Sequence, residues 1–131
     1  MLKRNFALIA LLSLSACVTT AGTETPLPDG NNVPLGRSAS VDGPIIRPVK
    51  VIEDSRCPMN ARCIWAGTVK IEAIWVRPNG DRTIEMELGK PIQLADGRFE
   101  LTDVSPSRMA GEGRELKPAD YRFSFRFMGG I

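Results

Sequence analysis

The C-terminal part of the chain carries the feature that most narrows the fold, which is an aromatic residue at every second position. Tyr121, Phe123, Phe125 and Phe127 alternate with polar or charged residues. Because successive side chains of a β-strand point to opposite faces, this spacing puts all four rings on one face. Such a row can serve as a base-stacking platform, but a small domain needs its aromatic area inside. Residues 121–128 are therefore predicted to form a core strand.

The same period of two continues from residue 33 onward, and no long helical apolar stripe interrupts it. Asn79-Gly80 predicts a hairpin turn, and Asp96-Gly97 predicts a second tight turn. The predicted strands are residues 35–41, 45–53, 66–76, 82–88, 91–94, 98–104 and 121–128. Seven short strands predict one all-β domain over residues 33–131. We expect an immunoglobulin-like β-sandwich, with a small β-barrel as the alternative.

One connection in this scheme is unusually long. Residues 105–119, SPSRMAGEGRELKPA, are polar and rich in glycine. Long connections in small domains are often functional, because binding groups tend to lie on loops held by a rigid framework. Arg108 and Arg114 in this segment are candidate binding residues.

The N-terminus has the three parts of an export signal in their usual order. Lys3 and Arg4 give a basic start, an apolar run follows, and Leu14-Ser15-Ala16-Cys17 resembles a bacterial lipobox. The apolar run is too short to span a membrane. The resemblance implies that residues 1–16 are a signal peptide and that Cys17 becomes a lipidated N-terminus carrying acyl chains such as palmitate.

This lipidation predicts where the protein is held. Val18 follows the anchor, whereas inner-membrane lipoproteins of Gram-negative bacteria usually carry aspartate there. We therefore expect an outer-membrane anchor with the protein facing the periplasm. Residues 17–32 are rich in Thr, Pro, Gly and Asn, and predict a flexible tether after the lipidated cysteine.

Charge argues against nucleic acid as a partner. Removal of Lys3 and Arg4 with the signal peptide takes the 17 basic residues to 15, which match the 15 acidic residues. A neutral domain lacks the basic footprint that nucleic-acid binding requires.

The cysteine count fits export and lipidation. The chain has three cysteines, so assigning Cys17 to lipid leaves Cys57 and Cys63 as one pair. Outside the cytosol this pair is expected to form a disulfide. A redox site would favour the CxxC spacing, and a zinc site needs about four ligands, commonly Cys or His, in a chain without histidine. We expect neither a metal nor a cofactor.

The residues around this pair form a motif. Asp54 to Pro58 read D-S-R-C-P, and Cys63 and then Trp65-Ala66-Gly67 follow. The motif resembles a group of small exported bacterial proteins, many of them predicted lipoproteins of uncharacterised function. Segments similar to residues 104–106 and 120–121 recur in that group, and the resemblance extends loosely over residues 35–128. It implies an all-β domain and no particular activity.

Two interpretations of the motif remain open. Asp54, Ser55 and Pro58 favour a turn pinned by the disulfide, with Trp65 lying over the disulfide in a sandwich core. In the functional interpretation, charged side chains of this loop and of the long connection form a recognition surface. The candidate binding-loop residues are Asp54, Arg56, Arg62, Arg108 and Arg114.

The chemistry of an enzyme is poorly supported by this sequence. A Ser-His-Asp or Cys-His site needs a histidine base, and neither GxSxG nor SxxK occurs. We therefore predict a non-enzymatic envelope lipoprotein that binds an envelope protein or a glycan through its loops. The alternatives are a lipid-anchored inhibitor of a lysozyme or protease, and a hydrolase that uses carboxylates such as Glu85, Glu87 and Asp54.

Overall fold

Two four-stranded antiparallel sheets pack into an open sandwich in the computed structural model, which describes residues 24–111 and 115–129. The strands are β1 (Val33–Pro34), β2 (Ala39–Ser40), β3 (Ile45–Asp54), β4 (Val69–Val76), β5 (Arg82–Glu87), β6 (Ile92–Leu94), β7 (Gly97–Ser105) and β8 (Arg122–Gly129). One sheet has the order β1-β8-β7-β6 and the other the order β2-β3-β4-β5. The predicted all-β sandwich is confirmed, and the described sheets do not close into a barrel.

Each sheet is built mainly from three consecutive strands, in which one connection is a short turn and the other is a long loop. β3, β4 and β5 form one meander and β6, β7 and β8 form the other. In an immunoglobulin domain neighbouring strands pass between the sheets more often, so the likeness lies in the two packed layers. The predicted hairpin joins β4 to β5, with Gly80 at a φ of 125°. The second turn lies one residue earlier than predicted, because Leu94 pairs with Gly97 across Ala95 and Asp96.

The core lies between the sheets and contains the predicted aromatic row. Phe123 is fully buried, and Phe125 and Tyr121 are nearly so. The ring of Phe99 from β7 packs against Phe125, with 5.6 Å between ring centroids. Phe127 is half-buried at the margin of the core. The alternation at residues 121–127 therefore predicted the inward face of β8 correctly.

The predicted strand at residues 35–41 is wrong, because the chain changes sheets there. β1 pairs with β8 in one sheet, and β2 pairs with β3 in the other. Between them Gly36 has a φ of 86°, in the left-handed region that favours glycine, and its N–H donates to the carbonyl of Pro48. A bend at this point replaces the continuous strand.

The domain also begins earlier than residue 33. Leu27 forms a bridge with Ala39, donating to the carbonyl of Ser38 and accepting from the N–H of Ser40. The carbonyl of Gly30 accepts a hydrogen bond from the N–H of Phe125. Residues 27–32 were assigned to the tether from their polar composition, but these backbone hydrogen bonds attach them to both sheets. The predicted signal peptide, Cys17 and the start of the predicted tether lie outside the described residues. No helix in the described part of the chain is long and apolar enough to span a membrane.

Candidate functional site

The connection between β3 and β4, residues 55–68, contains the predicted disulfide and is called the disulfide loop here. Cys57 and Cys63 are bonded, with 5.9 Å between their Cα atoms. At the base of the loop the N–H of Ser55 donates to the carbonyl of Thr68, and the N–H of Thr68 donates to the Ser55 hydroxyl. The pinned loop predicted from the D-S-R-C-P motif is thus present. Its two ends are hydrogen-bonded to each other and so extend the pairing of β3 with β4.

Asp54, the last residue of β3, is the centre of a hydrogen-bond network beneath this loop. Arg56 donates through Nε to Asp54 Oδ1 and through Nη2 to Asp54 Oδ2, each at 2.9 Å. The Tyr121 hydroxyl donates to Asp54 Oδ2 at 2.8 Å. The side chains of Arg56 and Asp54 are only 14% and 9% exposed. This bidentate ion pair is therefore largely buried.

Arg56 and a second arginine, Arg108, also donate to main-chain carbonyl groups. Arg56 donates to the carbonyls of Val104 and Pro106 at 2.8 and 3.1 Å. Arg108 donates to the carbonyls of Asp54 and Arg56, both at 3.1 Å. These contacts join the end of β3 in one sheet to the end of β7 in the other. We call Asp54, Arg56, Arg108 and Tyr121 the Asp54 network.

The electrostatics of the network follow from these hydrogen bonds. Burial alone raises the pKa of Asp54, but the hydrogen bonds from Arg56 and Tyr121 outweigh it, so the pKa lies below the ordinary 3.8. The hydrogen bond to Asp54 raises the pKa of Arg56. Burial, together with the hydrogen bond to Asp54, raises the pKa of Tyr121 to about 12. At neutral pH Asp54 is therefore a carboxylate paired with the Arg56 guanidinium, and Tyr121 is a neutral phenol.

The disulfide loop is also held along its side by the segment that follows β7. The N–H of Met59 donates to the carbonyl of Arg108 at 2.8 Å. The Asn60 amide group donates to the carbonyl of Ala110 at 2.9 Å and accepts from the N–H of Ala110 at 2.7 Å. The loop is thus fixed by its disulfide, by the Asp54 network and by these contacts.

Three large apolar side chains on this fixed loop are exposed. The exposed fractions are 73% for Met59, 91% for Ile64 and 77% for Trp65. We call these three residues the apolar tip. The prediction that Trp65 covers the disulfide inside the core is wrong. The disulfide closes within one connection and does not bridge the sheets, so no interior cystine exists for the ring to cover.

The candidate binding residues separate into two groups. Asp54, Arg56 and Arg108 are brought together, but their polar groups are used inside the domain. Arg62 is exposed on the disulfide loop, and Arg114 lies outside the described residues. Sequence reasoning missed Met59 and Ile64. A signal existed in the two adjacent large apolar residues, Ile64 and Trp65, within an irregular segment between Cys63 and Gly67.

A groove of about 930 Å³ lies beside the Asp54 network. One wall is the second half of β3, residues 49–54, and the other is formed by residues 105–109, 115–116, 118 and 120–121. Its apolar lining includes Leu35, Val49, Val51, Met109 and Leu116. The volume is within the range of ligand-binding clefts.

The other candidate sites have fewer features of a binding or catalytic site than this groove. A more open depression near the β4–β5 turn is lined by Trp75 and Arg77, whose guanidinium lies 4.7 Å from the Trp75 ring centroid. Glu85 and Glu87 line neither cavity. The hydrogen bond from Lys90 lowers the pKa of Glu87, which is opposite to what a general acid needs. No group of three or more metal-ligating side chains occurs among the described residues.

No family model, curated protein or solved structure matches the chain.

Proposed function

We propose that this protein is a lipid-anchored envelope lipoprotein whose domain binds another envelope protein through the apolar tip of the disulfide loop. The observation that carries the proposal is the exposure of Met59, Ile64 and Trp65 on a loop with so many internal restraints. Lipidation at Cys17 and an outer-membrane position facing the periplasm are part of the proposal, and rest on the lipobox.

Exposed apolar groups on a fixed loop favour a binding role on energetic grounds. Covering a large apolar side chain contributes about 1.5–3 kcal/mol, and tryptophan is prominent among residues that dominate protein interfaces. A flexible loop loses conformational entropy when it binds, whereas the disulfide loop is already ordered by Cys57–Cys63 and the Asp54 network. The restraints therefore increase the share of burial energy that appears as affinity.

A protein partner is favoured over a glycan by the chemistry of the apolar tip. Two of its three side chains are not aromatic, so they offer no ring on which a sugar can stack. The amide of Asn60 and the donors of Arg56, which a sugar hydroxyl would need, are engaged within the domain. Aliphatic and aromatic side chains together are instead typical of the buried centre of a protein interface.

The test is photocrosslinking in intact cells of the native host. A photoreactive amino acid at position 64 should give a discrete adduct with one envelope protein, while the same group at Thr83, exposed on β5, should not. The triple variant Met59→Ser, Ile64→Ser, Trp65→Ser should lose binding to the partner so identified by more than 100-fold, with its melting temperature unchanged. A partner that binds this variant as well as the wild type would contradict the proposal. So would adducts consisting only of peptidoglycan or lipid.

Inhibition of an enzyme is a second candidate function, because a disulfide-closed loop carrying exposed Arg62 beside the apolar tip has the form of an inhibitory loop. The measurement is residual activity of lysozymes and trypsin-like proteases with excess purified domain. Unchanged activity across these enzymes would eliminate this candidate and leave the binding proposal standing.

A further inference from the structure

The second half of β3 has one edge without a partner strand. β4 pairs with β3 along its whole length, whereas β2 pairs only with Ile45 and Ile46. The N–H of Gly36 reaches the carbonyl of Pro48, and beyond that point no strand among the described residues pairs with this edge. The chain turns into the other sheet at Gly36, which leaves no strand beside residues 49–54, although the Asp54 carbonyl at the end of this edge already accepts from Arg108.

The groove of about 930 Å³ runs along this open edge. Residues 49–54 all line it, so one wall is a strand edge about 20 Å long at the rise of an extended chain. The facing wall, which includes Met109 and Leu116, partly encloses the strand edge. An edge at the side of a groove admits one narrow extended segment more readily than a second sheet.

We propose that this groove binds an extended segment of a partner protein, which adds to the open edge of β3 as an extra strand. This inference goes beyond the function proposed above, because it uses a different surface and does not require the apolar tip. Strand addition is an established mode of peptide recognition, in which main-chain hydrogen bonds give affinity and alternate side chains fill pockets.

The lining indicates the composition of the bound segment. Leu35, Val49, Val51 and Leu116 are half-buried and offer apolar surface to every second side chain. The charges that line the groove balance one another, since Arg56 pairs with Asp54, Lys70 lies 3.9 Å from Glu53, and Glu115 and Asp120 are matched by Lys50 and Arg108. The lining therefore favours a segment with apolar residues at alternate positions and sets no requirement for its charge.

The outer edge of β5 is a poorer site, although it also ends a sheet. No residue of β5 lines either of the two cavities, so that edge has no facing wall to enclose a bound segment. β3 has register shifts at Val49 and Ile52, and such bulges occur next to binding sites. The bulges restrict pairing to a short segment, so we expect a peptide rather than another sheet.

The experiment uses the mature chain and a defined probe, an eight-residue capped peptide of alternating valine and threonine with lysine at both ends. Hydrogen–deuterium exchange should slow in the fragment covering residues 49–54 when the peptide is added, and remain unchanged in β5. The same peptide with alternate backbone nitrogens methylated should bind at least tenfold more weakly, because it cannot complete the hydrogen-bond ladder.

Matched variants locate the site. Ile52 and Met109 are each 45% exposed and line the groove, while Met128 is 41% exposed and does not. Ile52→Asp and Met109→Asp should each weaken binding of the probe about tenfold, and Met128→Asp should leave it unchanged. Should Ile52→Asp fail to fold, Met109→Asp on the facing wall still tests the proposal.

Four results would overturn the proposal. One is failure of the probe to bind, and a second is equal binding of the methylated probe, which would mean that backbone pairing is not involved. A third is protection, in the free monomer, of the amides at residues 49–54 that do not face β4, which would mean that the chain fills its own groove. Protection that depends on protein concentration without peptide would assign the edge to a second copy.

Discussion

Asp54 combines two tasks at one position. Its carboxylate accepts hydrogen bonds from Arg56 and Tyr121, and its main-chain carbonyl accepts one from Arg108. The sequence indicated an acidic turn residue two positions before Arg56 but not its distant partners, since Tyr121 is 67 positions away. Proximity across such a separation is a property of the folded sandwich, and a local motif cannot reveal it. Only the need of a buried tyrosine hydroxyl for a partner hinted at the contact.

We expect Asp54→Asn to lower the free energy of unfolding by about 2–4 kcal/mol, because it leaves the Arg56 guanidinium without its carboxylate in a largely buried position. Urea unfolding at pH 7 measures this. Glu100→Gln is the matched control, since its ion pair with Arg126 has a guanidinium side chain that is 58% exposed. That change should cost less than about 1 kcal/mol. Equal losses for the two variants would contradict the assigned role of the Asp54 network.

The acid dependence follows from the same group. Because the folded-state pKa of Asp54 lies below 3.8, its contribution to stability is present above that pH and is lost as pH falls through the folded-state pKa. The wild type should lose its advantage over Asp54→Asn in this acidic range. Unfolding curves of both proteins between pH 6 and pH 2 test the expectation. Two curves that stay parallel down to pH 2 would show that folding does not lower the pKa of Asp54.

Tyr121→Phe should lower stability by about 1.5 kcal/mol at pH 7, because it removes a hydrogen bond to a charged group. Its effect should change at alkaline pH. Tyr121 has an ordinary pKa of 10.0 that rises to about 12 in the folded protein, so its contribution is complete below pH 10 and is lost as pH rises toward 12. Wild type and variant should converge over this interval. A constant difference between them up to pH 12 would contradict the pKa assignment.

At the scale of strands, the alternation of apolar and polar side chains predicted where strands lie, but the sequence did not show where the chain passes from one sheet to the other. The observed β3, β5, β7 and β8 lie within about two residues of their predicted positions, because one face of each is buried. The sequence could not show that the chain changes sheets at Gly36, since residues 35–41 look like one apolar strand. Nor could it show that Leu27 and Gly30 bind the sheets, because their attachment uses backbone groups that any sequence has.

The aromatic row of β8 gives a direct test of the core. Phe125→Ala should cost about 3–5 kcal/mol, because Phe125 is 5% exposed and its ring packs against that of Phe99. Met128→Ala on the same strand should cost under about 1 kcal/mol, since Met128 is 41% exposed. Thermal melts of both variants measure this. A Phe125→Ala protein as stable as the wild type would refute the core assignment.

The disulfide is expected to stabilise the domain and protect its loop. The double variant Cys57→Ser, Cys63→Ser should lose roughly 2 kcal/mol, the entropy value for so short a closed ring. Trypsin should cleave after exposed Arg62 faster in this variant, while cleavage after Arg98, exposed within β7, should change little. Mass spectrometry of timed digests gives both rates. Unchanged cleavage at Arg62 would mean that the Asp54 network and the Asn60 contacts alone hold the loop.

At the scale of the whole molecule, the position of Leu27 limits how far the domain extends from a membrane. From Cys17 to Leu27 the chain has ten residue steps. Fully extended, they reach about 35 Å at most, compared with about 50 Å for a tether ending at residue 32. Under the proposed lipidation, binding partners of the apolar tip are expected on or near the same membrane.

Lipidation itself has a simple test. Native protein should have the intact mass of a chain beginning at Cys17 plus two or three acyl groups, and should partition into the detergent-rich phase. Cys17→Ala should abolish both properties. A native polypeptide in which Cys17 is unmodified, or is bonded to another cysteine, would reject the anchor and the localisation built on it.

The pKa values of Asp54 and Tyr121 bear on how the domain responds to pH. The Asp54 carboxylate takes up a proton only in strong acid, the Tyr121 phenol loses its proton only in strong alkali, and the chain has no histidine that would titrate between these extremes. Changes of pH from mildly acidic to mildly alkaline therefore do not alter the charges of Asp54 and Tyr121 beneath the loop. A loop braced in this way is expected to keep one shape over that pH range, so the proposed binding through the apolar tip should not depend on pH there.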